Sequence, residues 1–273
     1  MSSVGERTID DFGAQWQRYR ANESYYASLD VFADIVEPLV PRTAFRGKRV
    51  ADIGSGSGRI VNMLAEAGAA SILAVEPSAA AEVLRENTRQ LDNVEILHAP
   101  GDQLPPGLDL DYVVSFGVIH HIPEPDPVMR AIYAALRPGG KAVIWLYGHE
   151  GNELYLSLAE PARMLTCRMP DPLLAGLSWS LTPPLSLYAR ASKLLPLPMR
   201  GYMQDHILKL SPSARMLTIY DQLNPRYAKY YRRQEAIELL TRAGFSDVQI
   251  HHRHGYSWTV VGTRPEAEGP PAS

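Results

Sequence analysis

Three acids and three glycines in the first half of the chain form a pattern with chemical content. Asp52 stands two residues before Gly54, and Gly54, Gly56 and Gly58 follow a G-x-G-x-G spacing in VADIGSGSGR at 50–59. A strand, a glycine turn and a helix start let a ligand approach backbone closely, with helix N–H groups pointing at it. The dinucleotide fingerprint places its third glycine one residue later, as G-x-G-x-x-G. A carboxylate beside the loop would also repel a pyrophosphate, while it suits a cationic amino group. Glu76 ends the next strand, where an acid can accept hydrogen bonds from both hydroxyls of a ribose. Asp102, in APGDQL after the third strand, can take an adenine amino group. The ligand so outlined has an adenosine half and a positive half, and needs no phosphate.

A second set of residues carries acid–base potential. His120 and His121 in GVIHHIPEP are the best base candidates, because histidine titrates in the useful range. Adjacent side chains point apart, so one of the two is expected to act and the other to pack under the loop. IYDQLNPRYAKYYRR, at 219–233, brings Tyr220, Asp221, Asn224 and Tyr227 together. Tyrosine and asparagine beside a carboxylate suit a polyhydroxylated acceptor, although most of these tyrosines are read as packing. Asp221 remains an orienting acid or an alternative base. His252 and His254 in QIHHRHGYSW would share a strand face. No acidic cluster joins these histidines in sequence, and no metal is expected.

The elements that must position these groups show a clear change of rhythm. Residues 8–40 read as helical, with Ile9, Phe12, Trp16 and Tyr19 on one face and Leu29, Phe32, Ile35 and Leu39 repeating the pattern after a tyrosine-rich break. Trp16 is expected in the core, and Tyr19, Tyr25 and Tyr26 in a lid. From Arg49, short apolar runs alternate with helical periods, a βαβ rhythm that implies an α/β fold with a mostly parallel sheet. Ser78 is expected to cap the helix that follows it. After Tyr147 the rhythm breaks for about seventy residues, and the prolines there predict short helices and turns packed as a cap. A helix ending at Gly244 and two strands joined at Gly255-Tyr256 then close the sheet as an antiparallel hairpin. The expected organisation is a helical lid at 1–46, a ligand-binding core at 47–148, a cap at 149–231, a closing helix and hairpin at 232–263, and a disordered tail at 264–273. Ligands of open parallel sheets sit beyond the carboxyl ends of the strands, which adds Tyr147 and Tyr256 to the acceptor side.

Composition narrows the classes. The 27 basic and 30 acidic residues are interspersed and give a net charge of -3, without the basic footprint that nucleic acid demands. The single cysteine, Cys167, cannot form an internal disulfide, and MSSVGERTIDDFG lacks the apolar core of a signal peptide. Both point to a cytoplasmic location. No uncharged apolar run reaches the roughly 20 residues of a membrane span. Leu194, Leu195, Leu197, Met199 and Tyr202 with Arg190, Lys193 and Arg200 would suit a membrane surface, but are read chiefly as cap core. A homodimer is one of several oligomeric states the sequence leaves open.

VADIGSGSGR, AVEPS, APGDQLP, DYVVSFGVIHHIPEP and LRPGGKAVIWL occur in the order and spacing of one family. From about Gly47 to Gly148, and again from Arg232 to Gly262, the chain resembles the class I S-adenosylmethionine-dependent methyltransferases. The resemblance implies a Rossmann-like seven-stranded sheet with its last strand antiparallel. It also implies that Asp52, Gly54, Ser55, Gly56 and Gly58 contact the methionine end, Glu76 and Pro77 the ribose, Asp102 and Gln103 the adenine, and that Phe116 and Gly117 line the donor. The product would be S-adenosylhomocysteine. The expected acceptor is a small molecule, taken as a hydroxyl of a sugar or similar polar metabolite, a choice that a faint similarity to enzymes of bacterial surface polysaccharides favours. Tyr19, Tyr26, Tyr147, Tyr220, Asn224, Tyr227 and Tyr256 are the acceptor-side candidates. Rival readings are methylation at nitrogen or carbon of a small or lipid-like acceptor, a nicotinamide-dependent dehydrogenase, and a non-catalytic donor-binding subunit.

Overall fold

A computed structural model describes residues 4–22 and 24–266. Helices α1 (Val4–Arg18) and α2 (Leu29–Val36) precede the sheet. Then β1 (Arg49–Ile53), α3 (Arg59–Glu66), β2 (Ser71–Val75), α4 (Ala81–Thr88), β3 (Val94–Leu97), β4 (Leu110–Phe116), α5 (Asp126–Ala135) and β5 (Leu136–Tyr147) follow in order. Helices α6 (Glu153–Thr166), α7 (Asp171–Ala191), α8 (Arg200–Asp205) and α9 (Pro212–Leu223) form the cap, and α10 (Arg233–Thr241), β6 (Ser246–Arg253) and β7 (Ser257–Thr263) complete the sheet.

The seven strands run in the order β3-β2-β1-β4-β5-β7-β6, with β7 antiparallel to both neighbours and the other pairs parallel. The expected α/β sheet and closing hairpin are both present. Strand order reverses between β1 and β4, so the ends of these strands open the crevice in which such sheets bind ligands. Apolar side chains fill both faces of the sheet. Val128, Met129 and Ile132 of α5 join Leu239 and Leu240 of α10 on one face; Phe32 and Ile35 of α2 join Val61 and Leu64 of α3 on the other.

Several local expectations are corrected. The tyrosine-rich break is present between α1 and α2, with a 3₁₀ turn at Ser24–Ala27, but α2 ends at Val36 and not near residue 40, just before Glu37-Pro38, because a residue preceding proline is pushed out of the helical region. Ser28 caps α2 by accepting from Val31 N at 3.4 Å. Ser78 does accept from Ala80 N at 3.1 Å while its hydroxyl donates to Glu76, yet regular helix begins only at Ala81.

The largest correction concerns the cap. Its prolines predict short pieces, but α7 runs 21 residues straight through Pro183 and Pro184. Pro172 occupies the first turn, where no N–H is needed. The two internal prolines each remove one i→i−4 bond, and both lie on the exposed side. The inner side carries buried Ser178, Thr182 and Ser186, whose hydroxyls donate to the carbonyls four residues back at 2.8–2.9 Å. The cap is pinned at its base: Tyr231 N donates to the Tyr147 carbonyl at 2.8 Å and His149 N to the Tyr231 carbonyl at 2.9 Å.

His252 and His254 do not share a strand face. β6 ends at Arg253, and His254 occupies the turn with φ +49°. His252 stacks on Trp258 with centroids 4.0 Å apart, and His254 Nε2 lies 2.8 Å from Asp34. Among the described residues, no three His, Cys, Asp or Glu side chains come together as a metal would require. Of the tail, Arg264 is anchored by a backbone bond to Gly140 at 2.8 Å, and 267–273 lie outside the described residues.

Candidate active site

A cavity of about 790 Å³ opens at the switch point between β1 and β4 and extends under the cap, a size typical of small-molecule sites. Its floor on one side is the glycine loop. Gly54 has φ +78°, and a Cβ there would come within 2.5 Å of Val118. Only glycine lets the chain turn sharply at this point and still pack on Val118, two residues after β4. Gly54, Ser55 and Gly56 all line the cavity, whereas Gly58 turns away toward Leu84.

Three acids border this half. Glu76 lines the cavity and accepts from Gly56 N at 2.7 Å and from Ser78 N at 2.9 Å. Asp52 lies behind the loop rather than on the wall, fully buried, and its Oδ2 has no hydrogen-bond partner. Burial pushes its carboxyl up to about 7, since a charge removed from water is costly without compensation. Such a group favours a cation nearby. Asp102 is exposed at the rim and lines the cavity, as do Pro77, Phe116 and Gly117; Gln103 follows on the outside.

Helix α1 roofs the same half. Ile9, Phe12 and Trp16 share one face, as their spacing predicts, but that face looks into the cavity. Trp16 is therefore a wall residue rather than a core residue, with its indole nitrogen 3.0 Å from where a Gly56 Cβ would stand. Arg59, at the start of α3, also lines the cavity and sits 4.2 Å over the Tyr26 ring.

Past the loop, the two histidines separate cleanly. His121 lines the cavity, packs against Phe12 with centroids 4.8 Å apart, and donates from Nδ1 to the Tyr227 carbonyl at 2.8 Å. A ring nitrogen facing a carbonyl must carry the proton, so Nε2 holds the lone pair. Burial lowers the His121 pKa, with the Asp221 charge and the Tyr227 bond opposing. His120 is buried beneath, stacked on Tyr147 at 3.8 Å, and neither of its nitrogens has a partner. Burial holds it well below its ordinary value, with His121 and Arg163 adding to the effect.

A polar chain crosses the cavity wall beside His121. The Tyr147 hydroxyl donates to Asp221 Oδ2 at 3.2 Å and accepts from Gln222 Nε2 at 2.8 Å. Gln222 Oε1 accepts from Tyr155 at 2.9 Å and Tyr230 at 2.8 Å. On the other side Gln15 of α1 donates to Asp221 Oδ1 at 3.0 Å and accepts from Asn224 at 3.0 Å. Asp221, Tyr147, Tyr26 and Tyr256 line the cavity. Tyr19, Tyr220, Asn224 and Tyr227 do not; Tyr19 and Tyr220 pack edge to face at 5.4 Å in the joint between cap and α1.

A family model described as a methyltransferase domain matches residues 19–250. The chain belongs to this methyltransferase family. Its cofactor is S-adenosylmethionine; the glycine loop and Glu76, which line one half of the cavity, and the unpartnered Asp52 oxygen behind the loop fit such a group. The methyltransferase is 29% identical over 150 residues to a ubiquinone biosynthesis O-methyltransferase of Pseudomonas aeruginosa, covering 53% of this chain and 64% of the relative. To the corresponding enzyme of Pseudomonas entomophila it is 26% identical over 148 residues, covering 52% and 62%. The match thus spans less than two thirds of these relatives' own length. In fold it is similar to magnesium protoporphyrin IX methyltransferase of Synechocystis PCC 6803, solved with S-adenosylhomocysteine, with TM-score 0.56 and 14% identity over 96% of this chain and all of the other. Human N-acetylserotonin methyltransferase, solved with S-adenosylmethionine, gives 0.51 and 14% over 96% and 57%.

The methyltransferase also has site residues that the sequence did not single out. Tyr155, Tyr202, His206, Gln222 and Arg253 line the cap-side half of the cavity. His206 is pushed down to about 3, by burial first and then by the Arg253 charge. Gln222 directly follows Asp221 in the chain, a signal that could have drawn attention to it, but nothing local points Tyr202 or His206 inward.

Proposed function

We propose that this methyltransferase methylates a hydroxyl oxygen on a largely apolar acceptor, with His121 as the base. One observation carries the assignment: His121 stands on the cavity wall with Nδ1 tied to the Tyr227 carbonyl, which leaves Nε2 free to take a proton. Bound S-adenosylmethionine supplies an electrophilic methyl on a sulfonium. The chain's own task is alignment and exclusion of water, which can contribute about 7–11 kcal/mol, more than the 10²- to 10⁴-fold expected of a base. Roof helix α1 and the cap close over the two halves. Asp221 orients the Tyr147 and Gln15 side chains and adds negative charge beside His121, which favours the imidazolium formed as the proton moves.

The wall supports an apolar acceptor. Leu158, Leu185, Met199, Met203, Ile207 and Leu217 line the cap side, and of the residues thought to read a sugar, Tyr220, Asn224 and Tyr227 stay outside. An apolar body with one or two polar substituents matches such a wall better than a polyol does. The curated relatives, named as O-methyltransferases, support oxygen as the accepting atom. The test is transfer from methyl-labelled donor to a panel of alkyl-substituted phenols, alkyl amines and free sugars. Label in the phenol ethers supports the reading, and label confined to sugars or amines overturns it.

A further inference from the structure

The outer face of the cap is apolar in a way that burial within one chain does not explain. In α7 the usual arrangement is reversed: Ser178, Thr182 and Ser186 are buried, while Leu173, Trp179 and Leu187 face outward. Water-facing helices normally show their polar stripe to solvent. The face continues into Leu158 of α6, 70% exposed, and Leu194 after α7, 88% exposed. Exposed apolar area of this extent marks an interaction surface.

We infer that this face docks on an anionic lipid bilayer and presents the cavity mouth to it. Two further observations select that occupant. Leu158 and Leu181 both line the cavity and are exposed on the outer face, so an apolar acceptor passes from the face to the cavity without crossing water. Exposed charges balance over α6 to α8 as a whole, but from 172 to 204 they are Arg190, Lys193 and Arg200 with no acid among them, beside exposed Leu187, Leu194 and Leu195. Cations at the margins of an apolar face complement anionic headgroups. Among the described residues no helix is long and apolar enough to cross a membrane, so the contact is superficial. The purpose assigned to the face rests on the apolar-acceptor reading; the contact itself does not.

The test is co-sedimentation of the full chain with vesicles of phosphatidylcholine, alone or with about 30% phosphatidylglycerol, at about 0.05 M and 0.5 M salt. Binding should be about tenfold tighter to the anionic vesicles at low salt, and Leu187→Glu with Leu194→Glu should weaken it a further tenfold or so at unchanged melting temperature. Tryptophan emission should shift to shorter wavelength on binding, and Trp179→Phe should abolish the shift. Absence of binding, or binding that the double variant retains, overturns the inference. So does a dimer that the double variant splits in the absence of vesicle binding, which would make the face a contact between two copies. Vesicle binding without transfer to alkyl phenols would sink the acceptor reading and leave the docking face standing.

Discussion

His121 donates from Nδ1 to the carbonyl of Tyr227 at 2.8 Å, across 106 residues of sequence. The bond fixes the tautomer of a ring on the cavity wall. His121→Ala should therefore lower kcat by about 10²- to 10⁴-fold with donor binding kept, whereas His120→Phe should change it only a few-fold, because His120 packs among Tyr147, Trp145 and His121 and does not line the cavity. Single-turnover transfer and donor titration separate the two. Since burial lowers the His121 pKa, the acid limb of kcat should lie below about pH 6.5 in the parent and vanish in His121→Ala.

Asp52 sets a second pH dependence. Burial holds its carboxyl near 7, so it is largely neutral at mildly acid pH, and its contribution to stability is greatest below the ordinary carboxylate range and declines as pH rises toward 7. A bound cation favours the ionised form. Donor binding should release a proton below about pH 7, and affinity should fall by up to about tenfold for each unit below that. Calorimetry in buffers of different ionisation heat reads the proton, and Asp52→Asn should remove both the proton and the slope.

Gly54→Ala should abolish donor binding. The new Cβ meets Val118 at 2.5 Å and the residue keeps φ +78°. Val118→Ala in the same chain removes the two methyls but keeps the Val118 Cβ at 3.1 Å and the backbone strain, the latter about 1 kcal/mol or more, so thermal shift by S-adenosylhomocysteine should return only in part.

Asp34 ties α2 to the final hairpin through Arg253 and His254. Burial alone would raise its carboxyl, but bonds and charge from His254 and Arg253 outweigh this and hold it down to about 2. Its stabilisation is present above about pH 4 and is lost as pH falls from there toward 2. Asp34→Ala leaves the buried Arg253 guanidinium unpaired and should cost about 3 kcal/mol at neutral pH. Denaturant unfolding should show that gap closing as the pH approaches 2.

The sheet and the glycine loop were readable because their signals are local: alternating apolar runs, and an acid two residues before a G-x-G-x-G spacing. The cap was not. Proline at 183 and 184 reads as a helix break, and it fails here because both prolines lie on the outside of a helix whose inner bonds are intact. The spacing of Phe12 and Trp16 puts them on one face, but whether that face meets core or cavity depends on what lies across from it, and that is set by a loop some forty residues later. The same holds for the histidine pair. Adjacency implies that only one can face the ligand, and which one is decided by the Tyr227 carbonyl, arriving from beyond the cap.

Roof helix α1 is held at both ends of the reaction. Gln15 bonds to Asp221 and Asn224 on the acceptor side, while Asn22, just past the helix, bonds to Ser57 on the donor loop. Lifting the roof over the donor loop would loosen the same bonds that reach Asp221 and Asn224. Turnover should thus proceed in a compulsory order, donor entering first and S-adenosylhomocysteine leaving last, with its departure setting the pace.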